Sequence, residues 1–175
     1  MKKLPNSRMC FICGKKNIAG VHVSFYEQDD GTILARFTGQ EMHQGYPGRF
    51  HGGVLAGILD ETLSRAINSH QNDAVWGVTV ELTTRYRKPV PIGVELRAVG
   101  RIVTDRLRAF ESTGEILLPD GTVAVEAHGK FVKLADSTVA QFDPSVEEWR
   151  VWPDDTNPIR RRCVGRHRGA NHSIS

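Results

Sequence analysis

The period of the apolar positions changes along the chain, and each change marks an element. "GVHVSFYEQ" (Gly20–Gln28) and "TILARFTG" (Thr32–Gly39) read as two strands flanking Asp29–Gly31, a tight-turn sequence. "QEMHQGYPGRF" (Gln40–Phe50) is a glycine- and proline-bearing loop. Val54, Leu55, Ile58, Leu59, Leu63, Ala66 and Ile67 then recur at helical spacing and predict one long helix. From Val75 the period falls to two. Trp76, Val78, Val80, Leu82 and Tyr86 share one face of a long strand; Thr79, Glu81, Thr83, Arg85 and Arg87 share the other. After "KPVPIG", strands are predicted over Val94–Thr104, Leu107–Leu118 and Thr122–Leu134, with a turn at Pro119–Gly121.

Short links predict that the last four strands form an antiparallel meander. The expected fold class is therefore α+β, an antiparallel sheet of about six strands curled around a single helix. One helix leaves part of such a sheet uncovered, so self-association is expected. Residues 1–19 are read as an irregular segment, 20–134 as the folded domain, 135–159 as a C-terminal extension and 160–175 as a disordered basic tail.

Composition changes this picture only at the ends. The 39% apolar and 25% charged shares are those of a soluble globular chain of 175 residues. No stretch is apolar enough for a membrane span. The opening "MKKLPNSRMCFICGKK" has lysines and no apolar run, so a cytoplasmic location is expected. Five arginines lie in residues 160–175 without an acid; they exceed the whole net charge of +3, so the body is slightly acidic. No aromatic residue interleaves them, and no nucleic-acid partner is expected.

Chemistry concentrates in "FHGGVLAGILDET" (Phe50–Thr62). Gly52 and Gly53 fall at the predicted helix start, where free N–H groups favour anionic oxygen. Asp60 follows two turns along, with Ser64 one turn further and Gly57 alongside, where a small residue lets something approach the helix. A carboxylate facing a carbonyl polarised at that N-terminus is the minimum set for attacking the carbonyl. Glu61 is rotated by about 100° from Asp60 and is expected to face a loop or solvent. Cys10 and Cys13 form one CxxC. A zinc site takes four ligands and no second CxxC is present; His22 and His43 are conceivable additions, but packing is the simpler role and no metal is expected.

With these residues in view, the sequence resembles the hotdog-fold thioesterases, specifically the PaaI-like acyl-CoA thioesterases. "GYPGRFHGGVLAGILDE" (Gly45–Glu61), "GVTVELTTRYRKPVPIG" (Gly77–Gly93) and "DGTVAVEAHGKFV" (Asp120–Val132) carry the resemblance, and "CFICGKKNIAG" (Cys10–Gly20) looks like a leader found in many such proteins. The resemblance implies a sheet wrapped around the helix, a homodimer with a continuous sheet or a dimer of dimers, and active sites at the subunit interface. It implies Asp60 as general base or nucleophile, Gly52 N–H as donor to the thioester oxygen, and Thr79 or Ser64 as the hydroxyl that positions water. His51 and Gly53, at the helix start, and Gln44, in the loop, are candidate substrate-binding residues; His51 has a structural alternative in fixing the glycine turn. Arg85, Arg87 and Lys88 are candidates for the phosphates of CoA. Many relatives place Asn or Gln six residues before the HGG histidine; here that position is Gly45, with His43 and Gln44 beside it.

The implied function is hydrolysis of a small to medium or aromatic acyl-CoA, with no cofactor. Two other classes compete. A non-catalytic hotdog module that binds acyl-CoA or serves assembly is compatible with Gly45. A hydratase or dehydratase would use His51 with an acid.

Overall fold

The computed structural model describes residues 1–67, 75–135, 143 and 145–153. Seven strands form one sheet: β1 (Lys2–Lys3), β2 (Ser24–Glu27), β3 (Ile33–Thr38), β4 (Val75–Tyr86), β5 (Glu95–Asp105), β6 (Ala109–Leu117) and β7 (Val123–Ala135). The order across the sheet is β1-β2-β3-β5-β6-β7-β4, with antiparallel pairing throughout. Helix α1 (Gly52–Ser64) packs on it and continues as a 3-10 turn, Arg65–Ile67. The expected hairpin pairs β2 with β3 in the register Glu27↔Ile33, and Gly31 turns it with φ +80°.

The expected meander holds for β5, β6 and β7 only. β4 lies beyond β7 at the edge, from Val75↔Ala135 to Tyr86↔Val125. The chain leaving β4 crosses the end of the sheet to reach β5. It is held there by Phe50 N–H to Val90 O (2.9 Å), Gly93 N–H to Gly39 O (2.9 Å) and an Arg49↔Pro91 bridge. A short link did not place β4 beside β5, because the flank of β5 is already taken by β3. With β3 and β4 on opposite wings, the sheet curls around α1 from both sides.

The helix starts because His51, in extended conformation, caps it. Its Nδ1 accepts the Gly53 N–H at 2.9 Å. Leu55, Ile58, Leu59 and Leu63 are buried against the sheet, each stabilising by roughly 1.5–3 kcal/mol. Thr62, a polar residue in that apolar stripe, is buried as well and donates its hydroxyl to Ile58 O at 2.6 Å. Across from it the sheet has no side chains to give: Gly100 of β5 pairs with Gly114 of β6. A Cβ on Gly100 would stand 2.9 Å from Thr62 O, and one on Gly114 would stand 2.7 Å from Leu63 Cδ1. The two glycines form the seat into which the last turn of α1 descends.

The N-terminal segment, expected to be irregular, is built into the core. Leu4, Ile12 and Cys13 are buried in it, and Asn6 donates to Cys13 O and Val23 O at 2.8 and 2.7 Å. Trp152 of the C-terminal extension is buried and donates to Asn6 O at 3.2 Å, beside an Asn6↔Arg150 bridge. The arginine-rich tail and Cys163 lie outside the described residues.

Filling the glycine seat tests this packing. Gly100→Val is expected to lower unfolding free energy by about 1–3 kcal/mol, as overpacking does, read from urea denaturation.

Candidate active site

Thr79 reaches Asp60 because β4 carries a β-bulge. Its register with β7 shifts between Thr79 and Glu81. Before the bulge, odd-numbered residues face the helix: Gly77 lies against Ser64 O and Phe110, and Thr79 Oγ1 donates to Asp60 Oδ1 at 2.7 Å. Past it, even-numbered residues do: Leu82 packs on the core and Tyr86 Oη donates to Gly52 O at 2.8 Å. The single apolar face expected for Trp76, Val78, Val80, Leu82 and Tyr86 is therefore split. Val78 and Val80 are 45% and 67% exposed, on the side turned away from α1. An extra residue reverses the side-chain alternation of everything after it.

The Asp60 carboxylate is half-buried. Burial, opposed by the Thr79 hydrogen bond and reinforced by the nearby Glu61 charge, raises its pKa above the ordinary aspartate value. At the other end of the helix, Gly53 N–H is taken by His51 Nδ1, and the Val54 and Leu55 N–H groups by His51 O. Among the described residues, Gly52 N–H has no acceptor. Tyr86 fixes the carbonyl of that same residue, so the first turn is anchored to β4 with one donor left over. Tyr86 was read only as part of an apolar face; its position near the strand end carried no signal of this bond.

The other expected residues lie elsewhere. Ser64 donates to Glu61 O at 3.1 Å and lines a cavity of about 270 Å³ with Cys10, Cys13, Glu61, Trp76 and Trp149. Gln44 accepts the Gly48 N–H at 3.0 Å and braces its own loop. His43 is buried, stacks on Phe50 and bonds Gln40 N–H and Ala19 O at 3.1 and 3.0 Å; burial lowers its pKa. His22 bonds Asn17 O. Gly45 packs on His51: a Cβ there would stand 3.2 Å from His51 Cα, so this loop path has little room for a side chain. At the end of β4, Arg87 is held by Glu126 at 2.9 Å, whereas Arg85 and Lys88 are exposed and make no ion pair among the described residues. Glu61 faces the CxxC loop, as the helix wheel expects, and pairs there with a buried Arg65 at 2.7 Å. Arg65 was missed, although its i,i+4 spacing from Glu61 was the available signal.

Known proteins share this fold and parts of this sequence. Residues 47–125 match the thioesterase superfamily. A curated relative, acyl-coenzyme A thioesterase THEM4 of Bos taurus, is 29% identical over 116 residues, covering 65% of this chain and 46% of its own. The chain thus spans about half the length of that relative. A solved thioesterase superfamily protein is 33% identical, with a TM-score of 0.65 over 71% of this chain and 63% of its own. A Bacillus halodurans protein solved with CoA is 26% identical, with a TM-score of 0.60 over 67% of this chain and 78% of its own. Residues 47–125 are thus similar to the thioesterase superfamily, and the seven-stranded sheet with one helix packed on it is the hotdog fold of its solved members. Among the described residues no helix is long and apolar enough to cross a membrane.

The raised pKa of Asp60 has a stability consequence with a definite sign. The native state holds this proton more tightly than the unfolded chain, so the contribution is complete at low pH and is lost as pH rises through the native pKa. Asp60→Asn does not titrate and still accepts from Thr79. It is expected to melt at or above the wild-type temperature at neutral pH, with the gap closing as pH falls below about 4; thermal melts across that range provide the check.

Proposed function

We propose that the chain hydrolyses acyl-CoA thioesters, with Asp60 as general base or nucleophile. The observation that carries this is the half-buried Asp60 carboxylate, held by Thr79 Oγ1 at 2.7 Å. The Gly52 N–H polarises the thioester carbonyl. Asp60 takes a proton from water, the hydroxide adds to the carbonyl carbon, and the C–S bond breaks to release CoA thiolate and the acid. Direct attack by Asp60 gives a mixed anhydride that water then opens. The acyl group is small to medium or aromatic. Arg85 and Lys88, exposed beyond the helix N-terminus, are the cations available for CoA phosphates. The names of the bovine relative and the CoA-bound neighbour support this substrate class. Free thiols at Cys10 and Cys13 fit a reducing, cytoplasmic setting.

One copy of the chain does not complete this site. Gly52 and Asp60 are eight residues apart on one helix, about 12 Å along its axis at 1.5 Å per residue. Both must lie within about 3 Å of the reacting group. A second copy supplies the missing half, Gly52 of one protomer working with Asp60 of the other. β4 is the strand available for that contact: it is long, at the sheet edge, and exposes Val78 and Val80.

Asp60→Ala, well folded, is expected to lose at least ~100-fold in kcat for thiol release from an acyl-CoA panel; near-wild-type turnover would sink the assignment. Thr79→Val is expected to move the acidic limb of the pH–rate profile upward, since the hydroxyl bond favours the ionised carboxylate, while Thr79→Ser restores it. Gly52→Pro deletes the donor at the first helical position, where proline is tolerated and His51 is already extended. Its kcat should fall by ~10²–10³. Coexpressed with Asp60→Asn, it should recover about a quarter of wild-type activity, because random pairing in a two-fold dimer leaves one intact site in each mixed dimer. Absence of recovery would mean that each copy works alone.

A further inference from the structure

We propose that Cys10, Cys13 and Glu61 form a site for one thiophilic divalent metal ion, of which zinc is the commonest, fastening the N-terminal segment to the helix. The CxxC alone supplies two ligands; the fold brings a third from α1. The two Sγ atoms and a Glu61 carboxylate oxygen all lie within 4.8 Å of one another, and Cys10 Sγ is 3.4 Å from Glu61 Oε2. In a tetrahedral site, bonds of about 2.3 Å to sulfur and 2.1 Å to oxygen place ligand atoms roughly 3.5–3.8 Å apart. Small side-chain adjustments reach that spacing.

The surroundings suit ligands better than idle thiols. Cys10 Sγ accepts the N–H groups of Ile12 and Cys13, at 3.3 and 3.4 Å, as a metal-bound thiolate would. Glu61 is divided between its two oxygens. Oε1 receives Nε and Nη2 of Arg65 at 3.0 and 2.7 Å, leaving Oε2 turned to the sulfur. A ligating carboxylate oriented by an outer hydrogen bond is the usual support of a metal site. Arg65 is itself fixed, by Pro5 O at 2.9 Å and by the Phe25 and Trp149 rings. Its Nη2 also lies 3.5 Å from Cys13 Sγ, as an outer donor to that thiolate. Gly57 lets Ile12 settle against the helix: a Cβ there would stand 3.0 Å from Ile12 Cδ1. The fourth position opens into the cavity of about 270 Å³ lined by Ser7 and Ser64, where water or the Ser7 hydroxyl completes the shell.

Charge balances as well. With both thiols protonated, Glu61 and Arg65 cancel. Binding releases both thiol protons and adds a dication, M²⁺ + 2 RSH → M(SR)₂ + 2 H⁺, so the half-buried cluster is neutral before and after. That removes the largest cost of placing a dication there.

The test uses the full chain, purified under reduction, equilibrated with zinc and desalted. Metal content by mass spectrometry is expected at one zinc per chain, with release on thiol modification and a raised melting temperature. Cys10→Ser and Cys13→Ser should each weaken zinc binding at least ~10-fold, while Cys163→Ser leaves it unchanged. Glu61→Gln should also weaken it; because that variant orphans Arg65, it counts only if its circular dichroism is native, and the cysteine variants decide otherwise. A folded wild type that retains no zinc, zinc that persists in Cys10→Ser and Cys13→Ser together, or a Cys10–Cys13 disulfide that persists under reduction would each overturn the proposal.

Discussion

The descent of α1 onto the Gly100–Gly114 pair sets the rest of the structure. Thr62 and Leu63 enter the space where two strands have no side chains. A helix seated this low can be gripped from both wings of the sheet, by β3 and β5 on one side and β4 on the other. Close packing of this kind leaves little slack: interiors approach crystal density, and a methyl group is felt. The height of the helix therefore fixes where Asp60 meets β4, and the Thr79–Asp60 bond is a product of that depth.

The same helix has two working faces. One presents Asp60 to β4; the other presents Glu61 and Arg65 to the N-terminal segment. Adjacent carboxylates are thus separated by direction, one half-exposed beside a hydroxyl, one tied to a buried guanidinium. Removing Glu61 would leave Arg65 buried and unpaired, a loss on the order of 3–5 kcal/mol, whereas Asp60 is held at a cost to stability. Two carboxylates that are neighbours in sequence thus sit on opposite sides of the stability balance.

Local periodicity made much of the fold legible. The β2–β3 hairpin, the helix and the β5–β6–β7 meander follow from period and turn chemistry, which are properties of short windows. The edge position of β4 was not legible, because strand order depends on which flank β3 occupies, a long-range fact. Nor was the bulge: Val78 and Val80 look like core residues in an alternating strand, and only pairing with β7 shows the inserted residue. The Asp60–Thr79 pair was legible through family resemblance, and the CxxC was read as packing because Glu61, the carboxylate beside it, comes from α1 across the fold.

The bulge gives β4 something like a reading frame. Up to Thr79 the strand is read by the helix in one phase, and from Leu82 in the other; the outer surface reads the complement. Substitutions in β4 are point changes within a phase. Loss of a single residue at the bulge is a frameshift: it would turn either the Thr79 side or the Leu82–Tyr86 side of the strand inside out, exchanging hydroxyl for valine at the carboxylate or exposing the tyrosine that anchors the helix. In this strand a change of length is therefore costlier than most changes of residue.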